Sequence, residues 1–189
     1  MRKQYVTTAL LFATISIAVI SFQSCTKTAQ ALKYNLKMKT GSVHFIIPAS
    51  TFTVGNNMYG PVSNSYNVDS FIKAQTGTLL GIDNISSVKV ASCTLTLDDP
   101  DTTSKNFGNF ESCYAEFYSD KYPSPFQVSD MNIPDADTRS INMSVDTSAE
   151  LKSYIGTQYT YTLYGKLRRP APKDMHCTLQ YSFNIVVQG

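Results

Sequence analysis

Tryptophan is absent from this chain, histidine occurs only at positions 44 and 176, and charged residues make up just 16% of the sequence. Charge this sparse argues against a helical bundle. Two histidines leave little material for a metal centre or a histidine-activated nucleophile. His176 adjoins Cys177, and in a strand the two would point to opposite faces. Both His44 and His176 read as surface or edge residues. No Gly-Xaa-Ser-Xaa-Gly elbow, His-Glu-Xaa-Xaa-His helix or phosphate loop is present. The expectation is therefore no catalytic residues, no metal and no cofactor. After Phe22, no apolar run approaches membrane-spanning length.

Net charge is also missing once the N-terminus is set apart. Of the 16 basic residues, Arg2 and Lys3 stand at the very start, and the 14 that remain balance the 14 acidic ones. A neutral remainder argues against nucleic-acid binding, which normally needs a basic face. It also removes any reason to invoke electrostatic attraction to an anionic surface.

The N-terminus carries the most specific signal. Met1-Arg2-Lys3 is a short positive region, and Val6 to Phe22 is almost continuously apolar. Ser24 then precedes Cys25. A basic start, an apolar core and a small residue before the cut make a secretory signal. A cysteine directly after the small residue is the lipoprotein form, in which the thiol is acylated before cleavage. Residues 1–24 are thus expected to be a signal peptide, Cys25 the lipidated residue, and residues 25–32 a short linker. The alternatives are an uncleaved N-terminal span and ordinary cleavage leaving a free thiol. Lys27 follows with no acidic run and no aspartate follows Cys25, so the outer membrane is the expected location, with its periplasmic or surface face open.

Cysteine is scarce beyond the anchor. Cys93, Cys113 and Cys177 permit at most one internal bridge, which excludes a disulfide scaffold. Cys93 and Cys113 flank a loop-like segment symmetrically. A hairpin there would bring them together as a disulfide, and buried free thiols are the alternative.

Abundant Tyr (12) and Phe (10) favour strands, and the 165 residues left after the signal peptide suit one domain, residues 33–189. Apolar and polar residues alternate over 34–39, 43–47, 87–97, 110–118, 140–145, 158–167 and 177–187. The phase slips near Ala91-Ser92, the mark of a bulge. Another strand is expected near 124–128, and turns at Gly55-Asn56-Asn57 and Gly60-Pro61. Short helices are expected at 68–75, capped by Asn67 and ended by Gly77, and at 147–156, capped by Ser148 and stopped by Gly156. The fold class is all-β: an antiparallel β-sandwich of immunoglobulin-like or Greek-key type with two short connecting helices.

Candidate sites beyond Cys25 are few. Asp98, Asp99 and Asp101 form a carboxylate loop that could attract calcium or simply be a solvated turn; Asp135 and Asp137 read the same way. Lys166, Arg168, Arg169 and Lys173 read as a solvated hairpin connection or a contact for an acidic partner. Tyr154, Tyr159, Tyr161 and Tyr164 cluster on one strand and would form a glycan platform if exposed, but Tyr159 and Tyr161 share the apolar phase and so face the core. The phase of Tyr164 and Tyr181 is left open.

The Ser24-Cys25 ending, the Val88–Leu97 strand with its Leu95-Thr96-Leu97 close, Asn106-Phe107 to Ser112, and Leu163-Tyr164-Gly165-Lys166-Leu167-Arg168-Arg169-Pro170 resemble uncharacterised β-sandwich lipoproteins of Bacteroidetes. Asp101-Thr102-Thr103 likewise resembles a short O-glycosylation acceptor of exported proteins in that group, with Thr102 as the modified residue. The resemblance implies fold and compartment and carries no functional residues. The reading is a membrane-anchored lipoprotein with a non-enzymatic binding or envelope-structural domain. Its partners are the membrane, through the lipid, and an unknown protein or glycan ligand; nucleic acid is not expected. The rival is a carbohydrate-binding or glycan-processing accessory lipoprotein.

Overall fold

The computed structural model describes residues 32–51, 54–101 and 104–189. The expected signal peptide, Cys25, the linker up to residue 31 and Thr102 lie outside the described residues. One compact unit spans Lys33–Gly189. Its strands are β1 (Lys33–Lys39), β2 (Val43–Ile47), β3 (Asn57–Ser65), β4 (Ile85–Leu97), β5 (Phe110–Ser119), β6 (Phe126–Asn132), β7 (Ser140–Val145), β8 (Gln158–Leu167) and β9 (Met175–Gln188). Among the described residues one α-helix, α1 (Val68–Thr76), joins β3 to β4.

All ladders are antiparallel, in the order β1-β9-β4-β7-β6-β5-β8-β3, with β2 also on β9. β1 and β2 lie end to end along one edge of β9, with Thr40 between them still bonded to Tyr181: its amide donates to the Tyr181 carbonyl at 2.9 Å. Counting them as one bent strand gives two four-stranded halves, β1/β2-β9-β4-β7 and β6-β5-β8-β3. That is the jelly-roll form of the Greek key. The halves are joined by only two β6–β7 pairs, Ser129↔Val145 and Asp130↔Ser144.

Alternation drives this arrangement. On β9, Cys177, Leu179, Tyr181, Ile185 and Val187 are buried, while His176, Gln180 and Asn184 are exposed. The expected bulge on β4 is present as a register shift between Val90 and Ser92. Helix α1 starts where Asn67 accepts the Ser70 amide at 2.8 Å, and ends at Gly77, whose left-handed φ of 62° suits a residue without Cβ.

Three local expectations are corrected. Gly60-Pro61 is not a turn but part of β3, at the irregularity between Tyr59 and Val62. β3 is an edge strand, where a residue lacking an amide proton is tolerated. The second helix reduces to one 3-10 turn, Lys152–Tyr154. The Leu151 amide bonds the Val88 carbonyl and the Glu150 carboxylate takes the Val88 amide, so this segment is stitched to β4 instead of coiling. Third, β4 and β5 do not form a hairpin: β4 pairs with β7 and β9, and β5 with β6 and β8. Cys93, Cys113 and Cys177 are all free and buried.

Aromatic rings fill the space between the halves. Tyr161 of β8 stacks on Tyr181 of β9 with centroids 5.7 Å apart, and Phe117 of β5 meets Phe183 of β9 edge-on at 6.2 Å. Gly165 on β8 makes room for a further ring: a Cβ there would sit 2.6 Å from Phe110 Cε1. The hydroxyl of Tyr181 is buried beside Ser129 and Cys93 and makes no hydrogen bond of good geometry among the described residues. Leaving such a group unsatisfied costs about 1–3 kcal/mol. Tyr181→Phe keeps the ring and removes that cost, so it should raise the unfolding free energy in urea by about 1 kcal/mol. A loss of stability would mean that the hydroxyl is engaged.

Candidate functional site

The expected polar clusters turn out to hold the fold together. Asp99 is paired with Lys105. Asp98 accepts from Thr178 Oγ1 at 2.6 Å and faces His44 at 3.8 Å. Asp101 accepts from the Ser104 hydroxyl and the Lys105 amide. Cations and donors within the chain thus occupy these carboxylates. Among the described residues, no group of three or more metal-ligating side chains comes together.

The basic cluster is at least partly exposed, as a solvated connection would be, but its charges have partners within the chain. Arg168 donates to the carbonyls of Gly108 at 2.9 Å and Ile133 at 2.7 Å, and Arg169 pairs with Asp135. Lys166 pairs with Glu111 at 2.8 Å, and Lys173 approaches Asp101 at 3.8 Å. These residues tie the loops at one end of the sandwich together, and their acidic partners are internal. Arg139 covers Asp137 in the same way.

The cysteines are poor nucleophiles here. Burial pushes the Cys93 thiol up to about 11 and the Cys113 and Cys177 thiols up to about 12. Cys93 lies among Met143 and Ser129, whose hydroxyl donates to its sulfur at 3.5 Å. His176 is exposed on the opposite strand face from buried Cys177, so the two do not converge.

The tyrosines separate into two populations. Tyr154, Tyr159, Tyr161 and Tyr181 are buried. Tyr164 lies on the opposite phase of β8 and points outward, where it stacks on Tyr114 of β5 at 4.6 Å and 8°. Tyr114 was not among the sequence candidates. The signal for it is its phase: Tyr114, Glu116 and Tyr118 occupy the polar positions of a strand whose buried side is Cys113, Ala115 and Phe117.

Register extends this pair into a row. Met58, Tyr164, Tyr114, Asp130 and Ser144 are successive partners across β3, β8, β5, β6 and β7. Met58 is 59% exposed at one end. Partial burial, and then the nearby Glu116 carboxylate, raise both phenols above the ordinary tyrosine value, so they remain neutral at physiological pH. Among the described residues, only Asp83, Glu116 and Asp130 are carboxylates with neither an ion pair nor a hydrogen bond from a main-chain amide. Two of those three lie on the tyrosine face. Beside Tyr114, an open depression of about 430 Å³ is lined by Ser112, Gln127, Asp130, Asn132 and Ser144, with Cys113 and Met131 completing it.

No protein-family model matches the chain, and no curated protein does. Among solved structures it is similar to a mud crab tombus-like virus protein, at 10% identity and a TM-score of 0.41, covering 86% of this chain and 84% of that one. It is also similar to the BFDV capsid protein, at 12% identity and a TM-score of 0.35 over 85% and 96% of the two chains. A third is a CBM29-2 mutant, a family 29 carbohydrate-binding module, at 10% identity and a TM-score of 0.28 over 84% and 92%. Nothing about ligand or activity follows from likenesses this distant.

Thiol accessibility checks the cysteine assignment. Cys93, Cys113 and Cys177 should resist an aromatic disulfide reagent at about pH 8 while the protein is folded, and all three should react once it is unfolded without reductant. Peptide mass spectrometry reads the outcome; a Cys93–Cys113 disulfide peptide would contradict it.

Proposed function

We propose that this protein is a lipid-anchored, non-enzymatic binding module of the bacterial cell envelope. It is tethered to the outer membrane through Cys25 and presents the outward face of β3, β8, β5 and β6 to a ligand. The observation that carries this reading is the Tyr114–Tyr164 stack. Large rings belong in a core, and this fold buries most of its own; two placed outward beside the unengaged carboxylate of Asp130 suit recognition better than stability. Support for the anchor comes from the basic start, the apolar run and the Ser24-Cys25 junction. No helix among the described residues is long and apolar enough to cross a membrane.

Glycan processing is the weaker variant of the carbohydrate reading. Of the two carboxylates along this seam, Asp130 and Asp146, the second is held by the amide and hydroxyl of Ser148, whereas glycoside hydrolysis uses a pair of carboxylates free to act across the scissile bond, roughly 5–9.5 Å apart. The arrangement favours holding a ligand over cleaving it.

Two measurements test the two halves of the proposal. In cells fed an alkyne-bearing fatty acid, the wild-type protein should be labelled and sediment with the outer membrane, and Cys25→Ala should lose the label. A labelled Cys25→Ala protein overturns the anchor. Tyr114 and Tyr164 should be shielded from nitration by tetranitromethane in intact cells yet react in the purified full-length protein. Equal modification in both settings overturns the binding role.

A further inference from the structure

We infer that the depression between β5, β6 and β7 is a subsite for a neutral oligosaccharide, with Tyr114 as its stacking wall and Asp130 as its principal hydroxyl acceptor. This rests on the binding-module reading above and assigns its ligand class.

The site has a structural cause. β6 and β7 share only the pairs Ser129↔Val145 and Asp130↔Ser144, so the sheet splays where its two halves join and the outer surface sinks. The resulting volume of about 430 Å³ falls within the range of roughly 300–1,000 Å³ typical of small-molecule sites. A second depression of about 340 Å³ shares Gln127, Asp130 and Ser144 and continues toward Asp146. The two together form a groove along the β6–β7 seam, which suits a chain of sugars better than a single one.

The lining selects the ligand. Gln127, Asp130 and Asn132 carry planar groups that offer two adjacent polar atoms each, the spacing that engages neighbouring hydroxyls of a pyranose. Ser112 and Ser144 add short donors. Tyr114 supplies a ring against which the C–H face of a sugar packs, and its partner Tyr164 holds that ring upright. An apolar ligand would strand these polar groups without partners. An anionic one would meet the Asp130 carboxylate with no basic side chain in the lining to offset it. The Asp130 side chain has no ion pair or hydrogen bond among the described residues, so the carboxylate's acceptor capacity is uncommitted.

The test uses full-length protein in a detergent without a sugar headgroup. It is screened on immobilised neutral gluco-, manno-, galacto- and xylo-oligosaccharides, with polygalacturonate and heparin as anionic probes. At least one neutral series should bind. Tyr114→Ala and Asp130→Ala should each weaken that binding by about tenfold or more, while Tyr114→Phe, which keeps the ring, stays within about threefold of wild type. Asp83→Asn, the remaining unengaged carboxylate away from this face, should have no effect. Binding of only the anionic probes, binding of none, or wild-type affinity in Tyr114→Ala would overturn the inference. If it fails while Tyr114 stays shielded from nitration in cells, the ligand class is wrong and the binding module stands; if shielding is also missing, both readings fall.

Discussion

The contact between the two halves of the curled sheet is made of aromatic rings, and most of the architecture follows from it. Tyr161 and Phe117 project from one half, and Tyr181 and Phe183 project from the other to meet them. Each ring buries a large area, and the offset and edge-on geometries add to that burial. With tryptophan absent, Phe and Tyr provide the bulk of this packing. Tyrosine brings a polar tip into the interior, and the fold handles those tips unequally. Tyr159 exchanges hydrogen bonds with the Gly156 main chain, whereas the Tyr181 hydroxyl is left over.

That interior demand separates structural from functional chemistry. Most carboxylates outside the tyrosine face, and the arginines, are spent on holding the fold: the arginine clamp on Gly108 and Ile133, Asp120 on the amides of Thr157 and Gln158, and Glu150 on Val88. Asp120 is held below the usual carboxylate range by those bonds. Its stabilising effect is therefore full above the ordinary aspartate pKa near 4 and is lost only as the pH falls below it. Against this background of engaged groups, the outward tyrosine pair and its idle neighbour Asp130 stand apart. The shallow seam between β6 and β7 lies next to them because the two halves of the sheet join there through only two residue pairs.

Strand positions were legible in the sequence because period-two alternation is a local property. β5, β7 and β8 fall within a residue of their expected ranges, and even the β4 bulge left its mark as a slip of phase. Turn chemistry was less reliable. Gly60-Pro61 carries a turn signature but sits in an edge strand, where sheet pairing along β8 outweighs it. What could not be read was which strands pair. The Cys93–Cys113 bridge presumed neighbours in sequence to be neighbours in space, and a Greek key sends β4 and β5 to different partners. The candidate site failed to appear for the same reason. Tyr114, Tyr164 and Asp130 come from three strands whose adjacency is a matter of topology, and only the unusual phase of Tyr114 hinted at it.

β9 is the last of the strands in chain order, yet it lies inside the sheet, flanked by β1 and β2 on one side and β4 on the other. Three earlier strands therefore have no partner on that side until it arrives, and half of the aromatic contact is missing as well. A chain emerging or threaded from its N-terminal end cannot close prematurely around a partial core. Placing the last of these strands inside its half of the sheet makes completion of that half wait on its arrival.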